Sequence, residues 1–269
     1  MLVRKAVVAG YFYPSNSKRL LSELNEYMTD EEKFDAKGAI CPHAGYIYSG
    51  ATAGAVYSRL IPKDLYVLLG PNHTGYGADI SLMSEGEWEI PLGRFRVDET
   101  VAKKIIEKLS GVRSDIKAHL YEHSLEVQLP FIYKLNPNAK IVPVVLKTIS
   151  INDCSMFAQV LAETLLELNL QQKVTVIAST DMSHYLPDDL ARKVDTLAIE
   201  KIQKFDPQGL YATVVENNIS MCGFIPTVTM LFATRILGAK EVKIIKYTTS
   251  AEVSRDYDKV VGYLGALVI

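Results

Sequence analysis

Cysteine is scarce: the 269 residues contain three, Cys41, Cys154 and Cys222, an odd number with no CxxC spacing. That excludes a disulfide framework and a structural zinc knuckle, and leaves any cysteine chemistry to a free thiolate. Runs of like charge are also missing. The 29 basic and 31 acidic residues are interspersed and sum to a formal charge of −2, so no footprint exists for nucleic acid or an anionic membrane. Small or neutral partners, a small molecule or a peptide, are expected instead. Long apolar runs are lacking too: the opening "MLVRKAVVAGYFYPSN" is interrupted by aromatics and proline. It is too short for a signal h-region or a membrane span, which predicts a cytoplasmic protein. With no internal repeat, low-complexity tract or linker, and with 48% hydrophobic and 22% charged residues, the chain reads as one globular domain over residues 1–269.

What is present alternates between strand and helix patterns. Asn16 or Ser17 can cap a helix with Leu20, Leu21, Leu24, Tyr27 and Met28 on one face. "GAIC" reads as a short buried strand, "SGATAGAVYSRL" as a helix and "DLYVLLG" as a second buried strand. The segment "ADISLMSEGEWEIPLGRFRVDE" suggests short strands around turns, before Asp98 caps a helix carrying Val101, Ile105, Ile106 and Leu109. "KIVPVVL", a helix near 152–168, "KVTVIAST", a helix from about 187, and the late strands "EVKIIKY" and "KVVGYLGALVI" restore the alternation. The prediction is an α/β fold with a mostly parallel or mixed sheet covered by helices on both faces. Ligands in such folds sit beyond the carboxyl ends of strands.

Polar chemistry gathers at those strand ends. "CPHAGYIYSG" places His43 between Pro42 and Gly45, and "VLLGPNHTGYG" places His73 in the same setting, after a proline and just before a glycine. A single turn histidine is most simply a capped, hydrogen-bonded one. Two with the same grammar point to a shared crevice, provided their strands are neighbours, with donors suited to Fe, Zn or Cu. A third strand runs into Asp181 and His184 in "STDMSHY", a pair that serves acid/base work, metal binding or plain helix capping. "LYEHSLEVQLPF" puts Glu122, His123 and Glu126 at the start of an expected helix, with both glutamates on one face. The spacing is not HExxH, so it reads as a partner to a ligand or substrate, or as a solvated helix start. Cys222, beside Gly223 in "MCGFIPT", is either a buried apolar cysteine or the third ligand that two histidines need. Cys41 is the weaker candidate, because adjacent strand residues face opposite ways.

Together these stretches, with "AGYFYPS", "EWEIPLGRFRVDE" and the ending "YTTSAEVSRDYDKVVGYLGALVI", resemble the Memo family across nearly the whole chain. Members of that family occur in archaea, bacteria and eukaryotes and look like class III extradiol dioxygenases in fold, which implies a three-layer α/β sandwich. The chain also resembles component B of the AmmeMemoRadiSam set, implying AMMECR-type and radical SAM proteins as partners. The resemblance implies that His43, His73 and Cys222 are metal ligands. It places Asp181 and His184 in the same cleft, His184 where related dioxygenases use an acid/base histidine, with His123 nearby. Cys222 stands where those dioxygenases supply a carboxylate, which sets ring cleavage itself in question.

Three functions follow as expectations. The first is an Fe(II)-dependent, dioxygenase-like oxidoreductase, with Zn or Cu as other occupants and His184, Asp181 and His123 as catalytic groups. The second is a non-catalytic scaffold using the cleft for a peptide, a metal or a partner. The third, least favoured, is metal-assisted hydrolysis.

Overall fold

The structure is a computed structural model that describes residues 2–269. The chain begins with strand β1 (Val3–Arg4), helix α1 (Ser17–Tyr27), strand β2 (Gly38–Cys41), helix α2 (Tyr46–Tyr57) and strand β3 (Leu65–Pro71). Short strands follow: β4 (Ile80–Leu82), β5 (Glu87–Ile90) and β6 (Gly93–Arg96), then helix α3 (Glu99–Lys108) and strand β7 (Val112–Ser114). Helix α4 (Leu129–Leu135), strand β8 (Lys140–Leu146), helix α5 (Ile151–Glu167), and strands β9 (Val174–Ser179) and β10 (His184–Leu186) form the next stretch. Helices α6 (Asp188–Gln203), α7 (Pro207–Glu216) and α8 (Phe224–Ile236), strand β11 (Val242–Thr249), helix α9 (Ala251–Ser254) and strand β12 (Val260–Val268) complete it.

Nine strands make one mixed sheet in the order β10-β12-β2-β9-β3-β8-β4-β7, with β11 paired to β12. Its centre, β2, β9, β3 and β8, is parallel. These strands are buried on both faces, apart from Lys140 at the start of β8, which is why they read as continuous apolar runs. Helix α8 packs on β9, β3 and β2, with α5 and α7 against it, while α2 packs on β2, β11 and β12, with α1 and α4 against it. The result is a three-layer α/β sandwich. The middle hairpin β5-β6 departs from it and joins the N-terminal β1 in a separate sheet, β1-β5-β6. No helix among the described residues is long and apolar enough to cross a membrane.

Local chemistry explains the element starts. The Asn16 side chain accepts from the Arg19 amide, and the Asp98 side chain from the Val101 amide. Ser150 and Asp153 form a reciprocal capping box for α5. Along α1 the apolar face is narrower than its spacing predicts: Leu20 and Leu24 are buried, while Leu21 is exposed.

Two expectations need correction. Strands β2 and β3, which lead to His43 and His73, are not neighbours, because β9 lies between them. Nor do Glu122 and His123 open a helix. They lie in a connecting segment ahead of a 3-10 turn at Glu126–Gln128, and α4 starts only at Leu129. Pro130 at the first turn of α4 marks that later start.

Candidate metal centre

Three parallel strands, β2, β9 and β3, end on one side of the sheet, and their following residues meet there. The loop after β2 carries His43, the loop after β9 carries Asp181 and leads to His184 at the start of β10, and the loop after β3 carries His73. The interposed β9 joins the outer two. The Asp181 carboxylate accepts from the His43 amide at 2.8 Å, and Ser179 Oγ lies 2.9 Å from His43 Nδ1.

Cys222 arrives from the turn before α8. Its Sγ lies 3.3 Å from His43 Nε2 and accepts from the Asp181 amide at 3.3 Å. Gly223 permits this approach, since a Cβ there would sit 2.3 Å from the Ser179 carbonyl oxygen. His43 and Cys222 are thus joined through the end of β9. One donor atom from each of His43, His73 and Cys222 lies within 4.8 Å of the other two.

His73 is fastened from the opposite side. Both Glu122 carboxylate oxygens engage it: Oε2 accepts from its amide at 2.7 Å and Oε1 meets its Nδ1 at 2.8 Å. An ionised carboxylate only accepts, so Nδ1 carries the proton and Nε2 is open. Gly70 lets the segment carrying Glu122 come this close, because a Cβ there would lie 2.5 Å from Ser124 Oγ. Burial alone would raise the Glu122 carboxyl, but the hydrogen bond and charge of His73 outweigh it and bring it down to about 2. Reciprocally, burial opposes the His73 imidazolium, yet the Glu122 bond and charge raise its pKa above the ordinary value. His43 is only 2% exposed, whereas His73 keeps 32% of its side chain exposed.

His123 completes a cluster of three imidazoles. Its ring stacks on His73 with centroids 4.7 Å apart and meets His43 edge-on at 5.4 Å. Phe12, from the "AGYFYPS" stretch, backs it at 4.9 Å. Burial, followed by the neighbouring His43, lowers His123 to about 4, and burial with His73 lowers His43 to about 3, so both rings are neutral at pH 7. His73, Glu122 and His123 form a second group with metal-ligand spacing. Glu122 already accepts from the His73 amide, His73 Nδ1 and the Ser124 amide, which suits it to orienting a ligand.

Asp181 is 5% exposed, and burial raises its pKa. His184 is half-buried. Its Nδ1 donates to the Ser220 carbonyl oxygen at 2.9 Å, leaving Nε2 open, and its amide donates to Ser220 Oγ. The next residue, Tyr185, has φ of 60° at an irregularity in the β10–β12 pairing, a conformation a bulky side chain rarely adopts. Behind this segment the buried Asp195 accepts from the Ser183 amide at 3.0 Å, the Ser183 hydroxyl and the Tyr247 hydroxyl. Cys41 and Cys154 are fully buried, and burial pushes both thiols up.

His43, His73, Cys222, His123, Asp181 and His184 therefore lie in or beside one cluster, with Glu122 against His73, whereas Glu126 does not: it is taken up by Arg4, the Val7 and Val8 amides and the Tyr13 hydroxyl. No motif in the sequence singles out the supports Ser179, Ser220, Asp195 and Tyr247, or Gln128, which donates to Ser179 Oγ at 2.8 Å. Gln128 sits inside the quoted "EHSLEVQLPF", but no spacing rule distinguishes it. Asp195 lies on α6, twelve residues beyond the Ser183 it holds, and Tyr247 on β11, fifty-two beyond Asp195.

The comparisons with known proteins show the family to which the chain belongs. A family model described as Memo-like protein matches residues 4–267. A "MEMO1 family protein" of Aquifex aeolicus is 40% identical over 272 residues, covering all of both chains. Proteins of the same description from Methanococcus vannielii and Methanocaldococcus jannaschii are each 38% identical over 288 residues, covering 99–100% of both chains.

Proposed function

For a chain that belongs to the Memo family, we propose a metal-binding protein in which His43, His73 and Cys222 hold the ion and a small substrate is processed beside it. The observation that carries this is the convergence of two imidazoles and a thiol from three separate loops, with their donor atoms within 4.8 Å. Nitrogen and sulfur donors select a transition metal over Mg or Ca; Fe(II) is the first candidate, followed by Zn and Cu. Burial, with the Asp181 charge, pushes the Cys222 thiol up, so a cation must displace its proton, and metal uptake releases acid. Once bound, iron or copper would supply redox chemistry, and any of the three would supply a Lewis acid.

The chain's own groups supply proton handling. His184, steadied by Ser220, presents Nε2 to give or take a proton. Asp181 holds the His43 backbone and the Cys222 sulfur together and supplies a carboxylate on that side. His123, neutral at pH 7, offers a hydrogen-bonding wall. Thiolate in place of carboxylate makes the centre softer and open to oxidation, which separates it from ring-cleaving iron sites.

The test is metal content of anaerobically purified protein beside His43→Ala, His73→Ala and Cys222→Ser. Near-stoichiometric iron, lost in each variant, is expected. Wild-type protein that takes up no iron, zinc or copper after reconstitution overturns the reading.

A second reading, with the cleft docking a peptide or an AMMECR-type or radical SAM partner, draws on another feature. Exposed aromatics stand on the segments around the site: Tyr11, Tyr76 and Tyr121 outside the helices and strands, Tyr48 in the first turn of α2 and Tyr185 in β10. Partner capture that survives Cys222→Ser, with no turnover by either protein, favours it.

A further inference from the structure

Beneath His43 the hydrogen-bond partners leave little choice about where protons go. The buried Gln128 side chain approaches the Pro42 carbonyl oxygen at 3.0 Å, and a carbonyl only accepts, so the atom facing it is the amide nitrogen Nε2. The amide's second N–H reaches Ser179 Oγ at 2.8 Å, and its oxygen accepts from the Tyr57 hydroxyl at 3.0 Å. Ser179 has a single proton, which it donates to the Ser124 carbonyl oxygen at 2.7 Å. One lone pair on Ser179 Oγ remains. It faces His43 Nδ1 at 2.9 Å, and only an N–H can fill it.

We infer that Ser179 and Gln128, backed by Tyr57, are positioning residues that hold metal-free His43 in the tautomer protonated on Nδ1, leaving Nε2 bare toward Cys222. The other tautomer would turn the Ser179 proton toward the ring and strip the buried Ser124 carbonyl of this donor. The arrangement is the uncharged counterpart of Glu122 behind His73: a hydroxyl held by an amide replaces a carboxylate. It rests on the proposed metal site only for its consequence, a donor nitrogen ready before any ion arrives.

The experiment is ring ¹⁵N NMR of His43 in metal-free, full-length protein, followed by Co(II) titration as the probe of affinity. The wild type is expected to show a protonated Nδ1 and a bare Nε2. Ser179→Ala is expected to shift the ring toward the Nε2-protonated form and weaken Co(II) binding about 10–100-fold, with Ser179→Thr restoring both. A wild-type ring protonated mainly on Nε2 overturns the inference, as does a folded Ser179→Ala protein with an unchanged tautomer. Protonated Nδ1 in a protein that binds no metal supports the tautomer assignment while removing the metal reading.

Discussion

Glu122 and Glu126 stand four residues apart, and both are wholly buried. Glu126 turns toward the N-terminal segment. It pairs with Arg4 and accepts from the Val7 and Val8 amides and, at 2.7 Å, from the Tyr13 hydroxyl. Arg4 in turn donates to the His119 and Glu122 carbonyls and lies over the Trp88 ring. Glu122 turns instead to His73. One carboxylate joins the first residues of the chain to the main body, and the other orients a candidate ligand. Burial of a carboxylate therefore marks no function by itself; the partner does. An arginine, two amides and a phenol make a fold contact, whereas an imidazole with its second nitrogen open makes a candidate ligand.

The sharpest break in that comparison is Glu126→Ala, which leaves the Arg4 charge, two amides and a phenol without their acceptor. A loss of about 3–5 kcal/mol is expected in urea unfolding, with metal binding retained wherever the fold is. Glu122→Gln should do the reverse. Its effect on stability is expected to be the smaller, while the dissociation constant for iron or zinc, read by competition with a chelator, rises about 10–100-fold. Equal loss of metal affinity in both variants would erase the distinction.

Acid sharpens it further. The folded Glu122 carboxyl lies below its ordinary value near 4.5, at about 2. Its contribution to stability is therefore full above that ordinary value and lost as pH falls through about 2. The stability gap between wild type and Glu122→Gln should narrow from pH 4.5 downward in acid-unfolding curves, and a gap that stays constant would contradict the assignment. The weakest effect belongs to an exposed carboxylate. Glu23 pairs with Arg19 one turn away on α1, and Glu23→Ala should cost no more than about 0.5 kcal/mol by thermal melting.

The glutamates also mark where sequence reading stops. Both were visible in "EHSLEVQLPF", and helical spacing put them on one face. The chain instead leaves the helix period there, and the two side chains diverge to partners more than a hundred residues away in one case and forty-nine in the other. The histidine turns were legible because proline, glycine and a preceding apolar strand are local signals. Their meeting was not: β9 had to lie between β2 and β3, and strand order depends on crossovers that local pattern does not encode. Cys222 was legible only as a cysteine beside a glycine. That Gly223 packs against the Ser179 carbonyl, and so delivers the thiol to His43, is a property of the docked α8.

By itself the sequence determined the alternation of buried strands with capped helices, the placing of imidazole and carboxylate groups at strand ends, and the family, because each is written in short-range periodicity or ordered motifs. Tertiary structure alone decided which strand ends adjoin, which of two like carboxylates supports a histidine, and how Gln128 and Ser179 lie beneath His43. Those choices depend on hydrogen bonds and close contacts between residues distant in the chain, and a buried polar group takes its partner from whatever the packed fold brings within about 3 Å.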